Sequence, residues 1–244
     1  MRFLVIADVH ANLTALDAVL DDARRKGGFD EIWSLGDTVG YGPDPGGCVD
    51  RLSSLHTFGV AGNHDRAATG QETADDFNPD ALTAAKWSGN QLSGLQRSWI
   101  DRQRESETDS DFTLVHGSPR SPLFEYISRE RDALALFDRF TTNYCLNGHT
   151  HVPVIFTLDA ADRCKGRQAT DGLTLPLLQK RMIINPGSVG QPRDGDSRAA
   201  YLIIDTLERI MVFHRARYDV ASVQSRMRQA GLPWRLIMRL GSGH

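Results

Sequence analysis

Five of the eight histidines in this sequence fall in short motifs that follow strand-like apolar runs. Asp8 and His10 end the first run, Asp37 the second, Asn63 and His64 the third, His116 the fourth, and His149 and His151 the fifth. In an open α/β sheet the loops beyond the carboxyl ends of parallel strands converge on one edge, where ligands bind. Chance explains one or two such placements and explains all of them poorly. Asp8, His10, Asp37, Asn63, His116, His149 and His151 together offer imidazole nitrogen and oxygen but no sulfur. The spacing in Asp8-Val9-His10 and His149-Thr150-His151 would send both side chains of each pair to one side of an extended backbone.

One tetrahedral zinc site takes about four ligands, so this donor set exceeds the needs of a single ion. It suits two ions about 3.5–4 Å apart that share a carboxylate. Mixed nitrogen and oxygen ligation fits Mn, Fe, Zn, Co or Ni and does not choose among them. With Asp8, Asp37 and a bridging hydroxide, two divalent ions leave the centre net positive, partly because position 63 is a neutral Asn. An anionic substrate follows. Phosphate oxygens would take open metal positions while the bridging hydroxide attacks in line. The expected cofactor is therefore two divalent transition metal ions, and the expected partner a small phosphate ester.

Strands and helices must alternate to place these residues. "RFLVIA" (2–7) reads as a strand buried on both faces. Leu13, Leu16, Val19, Leu20 and Ala23 recur at helical spacing, and Lys26-Gly27-Gly28 closes that helix. "EIWSLG" (31–36) and "HTFGVAG" (56–62) are strands, with a short helix over 44–55 between them. Residues 79–103 read as helix with a break near Ser93-Gly94. Strands over 111–117 and 143–148 flank a helix over 131–140. Up to here the pattern implies a largely parallel sheet with crossover helices. Beyond it, "VPVIFTL", "LTLPLL", "RMIINPG", "RAAYLIID" and "RIMVFHR" read as strands joined by turns, an antiparallel addition or a second sheet. A last amphipathic helix covers about 220–229, and apolar "PWRLIMRL" packs on the body or on a partner subunit. The polar segment 159–172 is expected to be a mobile loop and 104–111 a solvated connection.

The chain has 244 residues, enough for one large α/β domain or two small ones. With 40% hydrophobic and 24% charged residues it has the composition of a soluble globular protein. A net charge of -3 gives no reason to expect nucleic acid as the main partner, and no apolar stretch approaches the roughly 18 residues of a membrane span. Cys48, Cys145 and Cys164 form no C-x-x-C, which excludes a disulfide framework or thiolate metal site and suits a reducing compartment. "MRFLVIADVH" lacks the apolar core of a signal peptide, so a cytoplasmic location is expected.

"DVH" (8–10), "GDTVGYGPDP" (36–45), "GNHD" (62–65), "HGSP" (116–119) and "GHTH" (148–151) resemble the calcineurin-like metallophosphoesterase superfamily, in that family's order and across almost the whole chain. The chain looks most like the compact bacterial and archaeal branch of single-domain phosphodiesterases and phosphatases. The resemblance implies an α/β fold, a four-layer αββα sandwich of two mixed β-sheets flanked by helices, as one domain over 1–244. It also implies two-metal hydrolysis of phosphodiesters or phosphomonoesters. By resemblance, Asp8, His10 and His151 are ligands of the first metal, Asn63, His116 and His149 those of the second, and Asp37 bridges. His64 would point elsewhere, toward the substrate, as hydrogen-bond donor or general acid for the leaving oxygen, with Asp65 holding its imidazole.

Two departures narrow the resemblance. Eukaryotic-type protein serine/threonine phosphatases carry an Arg shortly after GD and a Glu after GNH, where this chain has Gly40-Tyr41-Gly42 and Asp65. The nuclease branch adds a DNA-contacting domain for which there is no room. A non-catalytic metal-binding scaffold of the same fold, and a protein or dinucleoside polyphosphate phosphatase, are the alternatives. Loss of ligands marks such scaffolds, and none is lost here.

Three further residues have two readings each. Asn12 contacts phosphate or caps the helix that follows. Tyr41 lines the substrate mouth or is structural, and Arg193 in "NPGSVGQPR" (185–193) clamps phosphate or belongs to a Pro-Gly turn. His56, His214 and His244 lack motif context and are expected to be structural or solvated. Specificity is expected in loops around 38–46, 66–80, 118–130 and 159–172.

Overall fold

Unbroken apolar runs need cover on both faces, and the computed structural model, which describes residues 1–72, 77–178 and 180–244, supplies it by layering. The first third alternates: β1 (Arg2–Ile6), α1 (Leu13–Arg25), β2 (Glu31–Leu35), α2 (Pro45–Ser53) and β3 (Thr57–Val60). Three helices follow, α3 (Asn63–Thr69), α4 (Pro79–Gln91) and α5 (Gly94–Asp101). Then come β4 (Ser106–Asp109), β5 (Phe112–Val115), α6 (Glu130–Leu134) and β6 (Tyr144–Leu146). The last part is β7 (Val154–Leu158), β8 (Cys164–Gln168), β9 (Thr174–Pro176), β10 (Met182–Asn185), β11 (Ala199–Asp205) and β12 (Ile210–Ala216). Helices α7 (Val220–Gln229) and α8 (Trp234–Ser242) close it.

These strands make two six-stranded sheets, ordered β3-β2-β1-β11-β12-β9 and β4-β5-β6-β10-β7-β8. Strands β1, β2 and β3 run parallel, as do β5, β6 and β10, while β11 and β7 join antiparallel. Both sheets are therefore mixed, as the resemblance implies, but the one parallel sheet read through 143–148 divides after β3. Strands β5 and β6 belong to the second sheet, because strand–helix alternation records a crossover and not which sheet receives it. Period-two alternation sorts the side chains. On β11, Leu202 and Ile204 enter the core between the sheets with Phe3, Val5, Leu114 and Leu146. Tyr201 and Ile203 face outward to Leu16, Val19 and Leu20 of α1. Beyond the second sheet, Val115, Cys145 and Ile183 are covered by Ala133, Phe137 and Phe140. The layers are thus helix, sheet, sheet, helix. No helix of the described residues is long and apolar enough to cross a membrane.

Some expected boundaries change. Residues 104–111 are not merely a connection, because β4 pairs antiparallel with β5, and 159–172 contains β8 paired with β7. Both strands are polar sheet edges. Charged or polar edge strands are a normal protection against edge-to-edge pairing, and they lack the apolar period that announces a strand. The helix expected over 131–140 stops at Leu134, and a single 3₁₀ turn at Phe137–Arg139 turns Phe137 into the second sheet's outer core. The break near Ser93 is present: Ser93 Oγ accepts from Gln96 N, and Gln96 Oε1 accepts from Ser93 N. Of the loop expected over 66–80, residues 73–76 lie outside the described residues.

Truncating Leu202, buried at the centre of the inter-sheet core, should show what holds the layers together. Leu202→Ala should cost about 2–5 kcal/mol in chemical denaturation, whereas Leu207→Ala, at an exposed turn, should stay within about 0.5 kcal/mol of the parent.

Candidate metal centre

The sequence-selected donors meet where the carboxyl ends of strands from both sheets come together. Asp8 follows β1, Asp37 follows β2, and Asn63 and His64 open α3 directly after β3. His116 follows β5, and His149 and His151 follow β6. The pairs do not converge by extended alternation as expected. Asp8, His10, Asp37, Tyr41, His149 and His151 all have left-handed backbone, with φ between 47° and 67°. Such φ values are uncommon for residues with a Cβ, and surrounding structure must hold them. Here a lattice of backbone bonds does so: Asp8 N donates to Gly36 O at 3.1 Å, His10 N to Asp37 O at 2.9 Å, and Gly148 N to His116 O at 2.8 Å. Gly62 is required beside them, because a Cβ there would collide with the Asp37 carboxylate.

Each of the four candidate imidazole ligands is anchored through one nitrogen to a backbone carbonyl. His10 Nδ1 bonds Val39 O at 3.1 Å, His116 Nδ1 bonds Leu35 O at 2.8 Å, and His151 Nδ1 bonds Gln191 O at 2.6 Å. His149 uses Nε2 instead, to Phe124 O at 3.1 Å. A carbonyl accepts only N–H, so each anchor fixes the tautomer and leaves the other nitrogen as a lone pair, as in metal-bound histidines. Those lone pairs converge. His10 Nε2 lies 3.1 Å from His151 Nε2, and His116 Nε2 lies 3.0 Å from His149 Nδ1 and 3.1 Å from Asn63 Oδ1. Asp37 Oδ2 lies 3.5 Å from His10 Nε2 and 3.3 Å from His116 Nε2. Asp8 Oδ1 lies 3.5 Å from His151 Nε2, while Asp8 Oδ2 is buried without a hydrogen-bond partner among the described residues. Acceptors gathered this closely repel unless cations lie between them. The donor set fits divalent metal ions.

Burial and neighbouring charges set the ionisation of these groups. Burial lifts the Asp8 carboxyl to about 7, although the charge on His116 pulls the other way. Burial also penalises a charged His116, yet Asp37 beside it outweighs that and raises His116 to about 9. Asp37 stays well below the usual carboxylate range despite its burial, because His116 and His64 face it. Burial lowers His64 to about 4 and His149 to about 3, and takes His10 and His151 well below the usual imidazole value.

His64 and Asp65 differ from expectation. Asp65 does not hold the His64 imidazole; its Oδ2 accepts from Gly62 N at 3.0 Å and its Oδ1 from Val39 N at 3.1 Å. From the first turn of α3 it ties the chain after β3 to the loop after β2, because an acidic residue there is set to bond the cap amide. Nor does His64 simply point away. A ring nitrogen of His64 lies within 4.8 Å of ligand atoms of His10 and Asp37. Its Nδ1 is buried without a partner among the described residues and packs over Gly40, where a Cβ would come within 2.5 Å. Tyr41 and Phe77 flank the ring, with centroids at 4.4 and 4.6 Å.

Asn12 caps α1 and does not offer itself to a phosphate. Its Oδ1 accepts from Ala15 N at 3.1 Å and its Nδ2 donates to Gly190 O at 3.0 Å. Tyr41 and Arg193 do line the cleft, a cavity of about 140 Å³ floored by Asp37, Asn63, His64, His149 and His151. Arg193 donates to Tyr41 Oη at 3.3 Å and to Gln191 Oε1 at 3.2 Å, and forms no ion pair among the described residues. Phe77, Phe124 and Tyr126 complete the walls. Sequence reasoning did not single them out, and their only signal was membership of the loops around 66–80 and 118–130. His56 is exposed against Glu31, and His214 lies beside Tyr201, both away from the cluster.

The titration pattern predicts how the metal-free chain responds to pH. His116 holds its proton up to about 9 when folded but to 6.5 when unfolded, and Asp8 up to about 7 rather than 3.8. In those windows the folded chain binds more protons, so stability falls as pH rises. The lowered histidines act oppositely, but only below 6.5. Chelated protein should therefore melt at a lower temperature at pH about 8.5 than at pH about 6.5, and saturating Mn²⁺ should remove most of the difference, because ligand binding requires deprotonation. Differential scanning calorimetry checks this, and a rising Tm across that window contradicts it.

Residues 1–209 match the profile of the calcineurin-like phosphoesterase superfamily domain. The chain is 46% identical to a metallophosphoesterase from Sphaerobacter thermophilus whose crystal structure covers 100% of this chain and is itself 99% covered, with a TM-score of 0.91. A hypothetical protein from Pyrococcus horikoshii OT3 shares the fold at 17% identity and a TM-score of 0.81, over 100% of this chain and 98% of that one. An uncharacterized protein of Methanocaldococcus jannaschii is 32% identical over 98% of this chain and 97% of its own length. Motif order, layered sheets and converging donors agree with these matches, and the chain belongs to the calcineurin-like phosphoesterase superfamily.

Proposed function

We propose that this protein hydrolyses small phosphate esters, diesters or monoesters, with the help of two divalent metal ions. The observation that carries this reading is the position of Asp37 Oδ2, 3.5 Å from His10 Nε2 and 3.3 Å from His116 Nε2, between two converging donor sets. Asp8, His10 and His151 would hold one ion, Asn63, His116 and His149 the other, and Asp37 would serve both. Ions bound there would supply Lewis acidity toward phosphoryl oxygens and acidify a water to serve as nucleophile.

The chain's own residues do the rest. Arg193, at the rim and without a carboxylate partner among the described residues, would bind the phosphoryl group through charge-assisted hydrogen bonds. His64 turns Nδ1 toward Gly40, which leaves Nε2 to donate to the leaving oxygen. Tyr41 and Phe77 hold that ring in place of Asp65. The buried floor keeps bulk water from these dipoles, which strengthens them where charge develops. An intact donor set supports hydrolysis over a non-catalytic scaffold.

Elemental analysis of protein purified without chelator should approach two transition metals per chain. Asp37→Asn should lower both metal occupancy and hydrolysis of bis(p-nitrophenyl) phosphate. Full activity in a metal-free preparation would remove the mechanism.

His64 is separable from the ligands around it. His64→Ala should reduce turnover about 10²–10⁴-fold with metal content near normal, and esters with an alkyl leaving group should suffer more than nitrophenyl esters. His116→Ala should lose metal as well. If His64→Ala empties a metal position, His64 is a ligand and its assigned role is wrong.

A further inference from the structure

The loop between β5 and α6 is unusually well tied for a surface connection. Ser118 Oγ accepts from Arg120 N at 3.1 Å and Ser121 N at 3.0 Å, and donates to the Glu125 carboxylate, which also pairs with Arg120. Leu123 and Ile127 are buried and pin the loop from below. Between them Phe124 and Tyr126 remain 37% and 53% exposed, and both line the metal cleft. The Tyr126 ring stacks on the His149 imidazole, with centroids 3.9 Å apart and planes at 26°. One face of Tyr126 is therefore used, and the ring lines the same cleft as Phe124 and Arg193.

Two aromatic rings left in water on a braced loop beside a polar cleft need a reason, because clustered exposed apolar surface commonly marks a binding site. Arg193 suits an anionic phosphoryl group, and the open rings suit a planar π face a short distance away. We infer that Tyr126 and Phe124 form a stacking platform that selects phosphate esters carrying a planar aromatic ring, either an aryl group joined directly or a nucleobase joined through its sugar. This inference rests on the phosphoesterase reading and names its substrate class. The platform is a specificity element and leaves the ligand set unchanged.

Titration calorimetry on Mn²⁺-loaded full-length protein tests it with ligands that cannot be hydrolysed. One arm compares phenylphosphonate with methylphosphonate. The other compares the methylenephosphonate analogues of AMP and of ribose 5-phosphate. In at least one arm the aromatic ligand should bind about tenfold more tightly, the scale of base–aromatic stacking, and the arm that gains identifies the linkage. Tyr126→Ala and Phe124→Ala should each shrink that preference while the non-aromatic ligand keeps its affinity, and Tyr126→Phe should preserve it.

Equal affinities within both arms would overturn the platform and leave the phosphoesterase reading standing. So would a Tyr126→Ala protein that loses aromatic and non-aromatic ligands alike, together with metal, since that is the signature of a mere cover for His149. If neither inorganic phosphate nor any phosphonate binds, the phosphoesterase reading fails and the platform fails with it.

Discussion

A carboxylate buried among imidazoles from two sheets is the constraint around which this molecule is arranged. Asp37 leaves the first sheet at β2, His10 leaves it at β1, and His116 comes from the second sheet at β5. Their ligand atoms meet at 3.3–3.5 Å only because the two sheets stack with their carboxyl ends together. The inter-sheet core therefore does more than stabilise the chain, since any slip of one sheet over the other would part the donors. Buried charge of this density is costly without a compensating cation. Such clusters of perturbed ionisable groups are common at functional sites.

Precision comes from the backbone more than from the side chains themselves. Carbonyls at Leu35, Val39, Phe124 and Gln191 each hold one imidazole and fix which nitrogen faces inward. Asp8, His10, Asp37, His149 and His151 sit in left-handed conformations that a free chain would avoid. Hydrogen bonds between successive loops hold them there, and Gly62 makes room where a Cβ would strike Asp37. Asp65 belongs to this framework. Its carboxylate joins the loop after β2 to the start of α3 and so sets the spacing of Asp37 from Asn63.

The later part of the chain shapes the approach to the centre. Helices α7 and α8 pack with α4 around Tyr41, so the mouth of the cleft rests on a small core of its own that includes Met227, Leu236 and Ile237. Arg193 reaches the same mouth from the loop between β10 and β11, and Phe124 and Tyr126 reach it from the loop after β5. The closely held donors thus lie below side chains contributed by several loops, an arrangement common where function is carried on loops.

The sequence by itself determined the donor chemistry and the order of most strands and helices, while the division of the parallel strands between two sheets was decided by the tertiary structure. Apolar runs that end in Asp, Asn or His announce strands whose ends face a common edge, and the core helix and strand residues follow burial periodicity, which is a one-dimensional signal. Strands β4 and β8 escaped that reading because polar edge strands carry no apolar period. The left-handed turns at Asp8, His10, His149 and His151 escaped it because side-chain spacing does not record backbone φ. Asn12 and Asp65 took partners that only the fold supplies, Gly190 for Asn12 and Val39 for Asp65. Tyr126 became part of the cleft because a loop distant in sequence laid it on His149. Residue type decides what a side chain can bind, but tertiary structure decides which groups come within reach, because those partners lie tens to hundreds of residues apart and meet only when both sheets have closed.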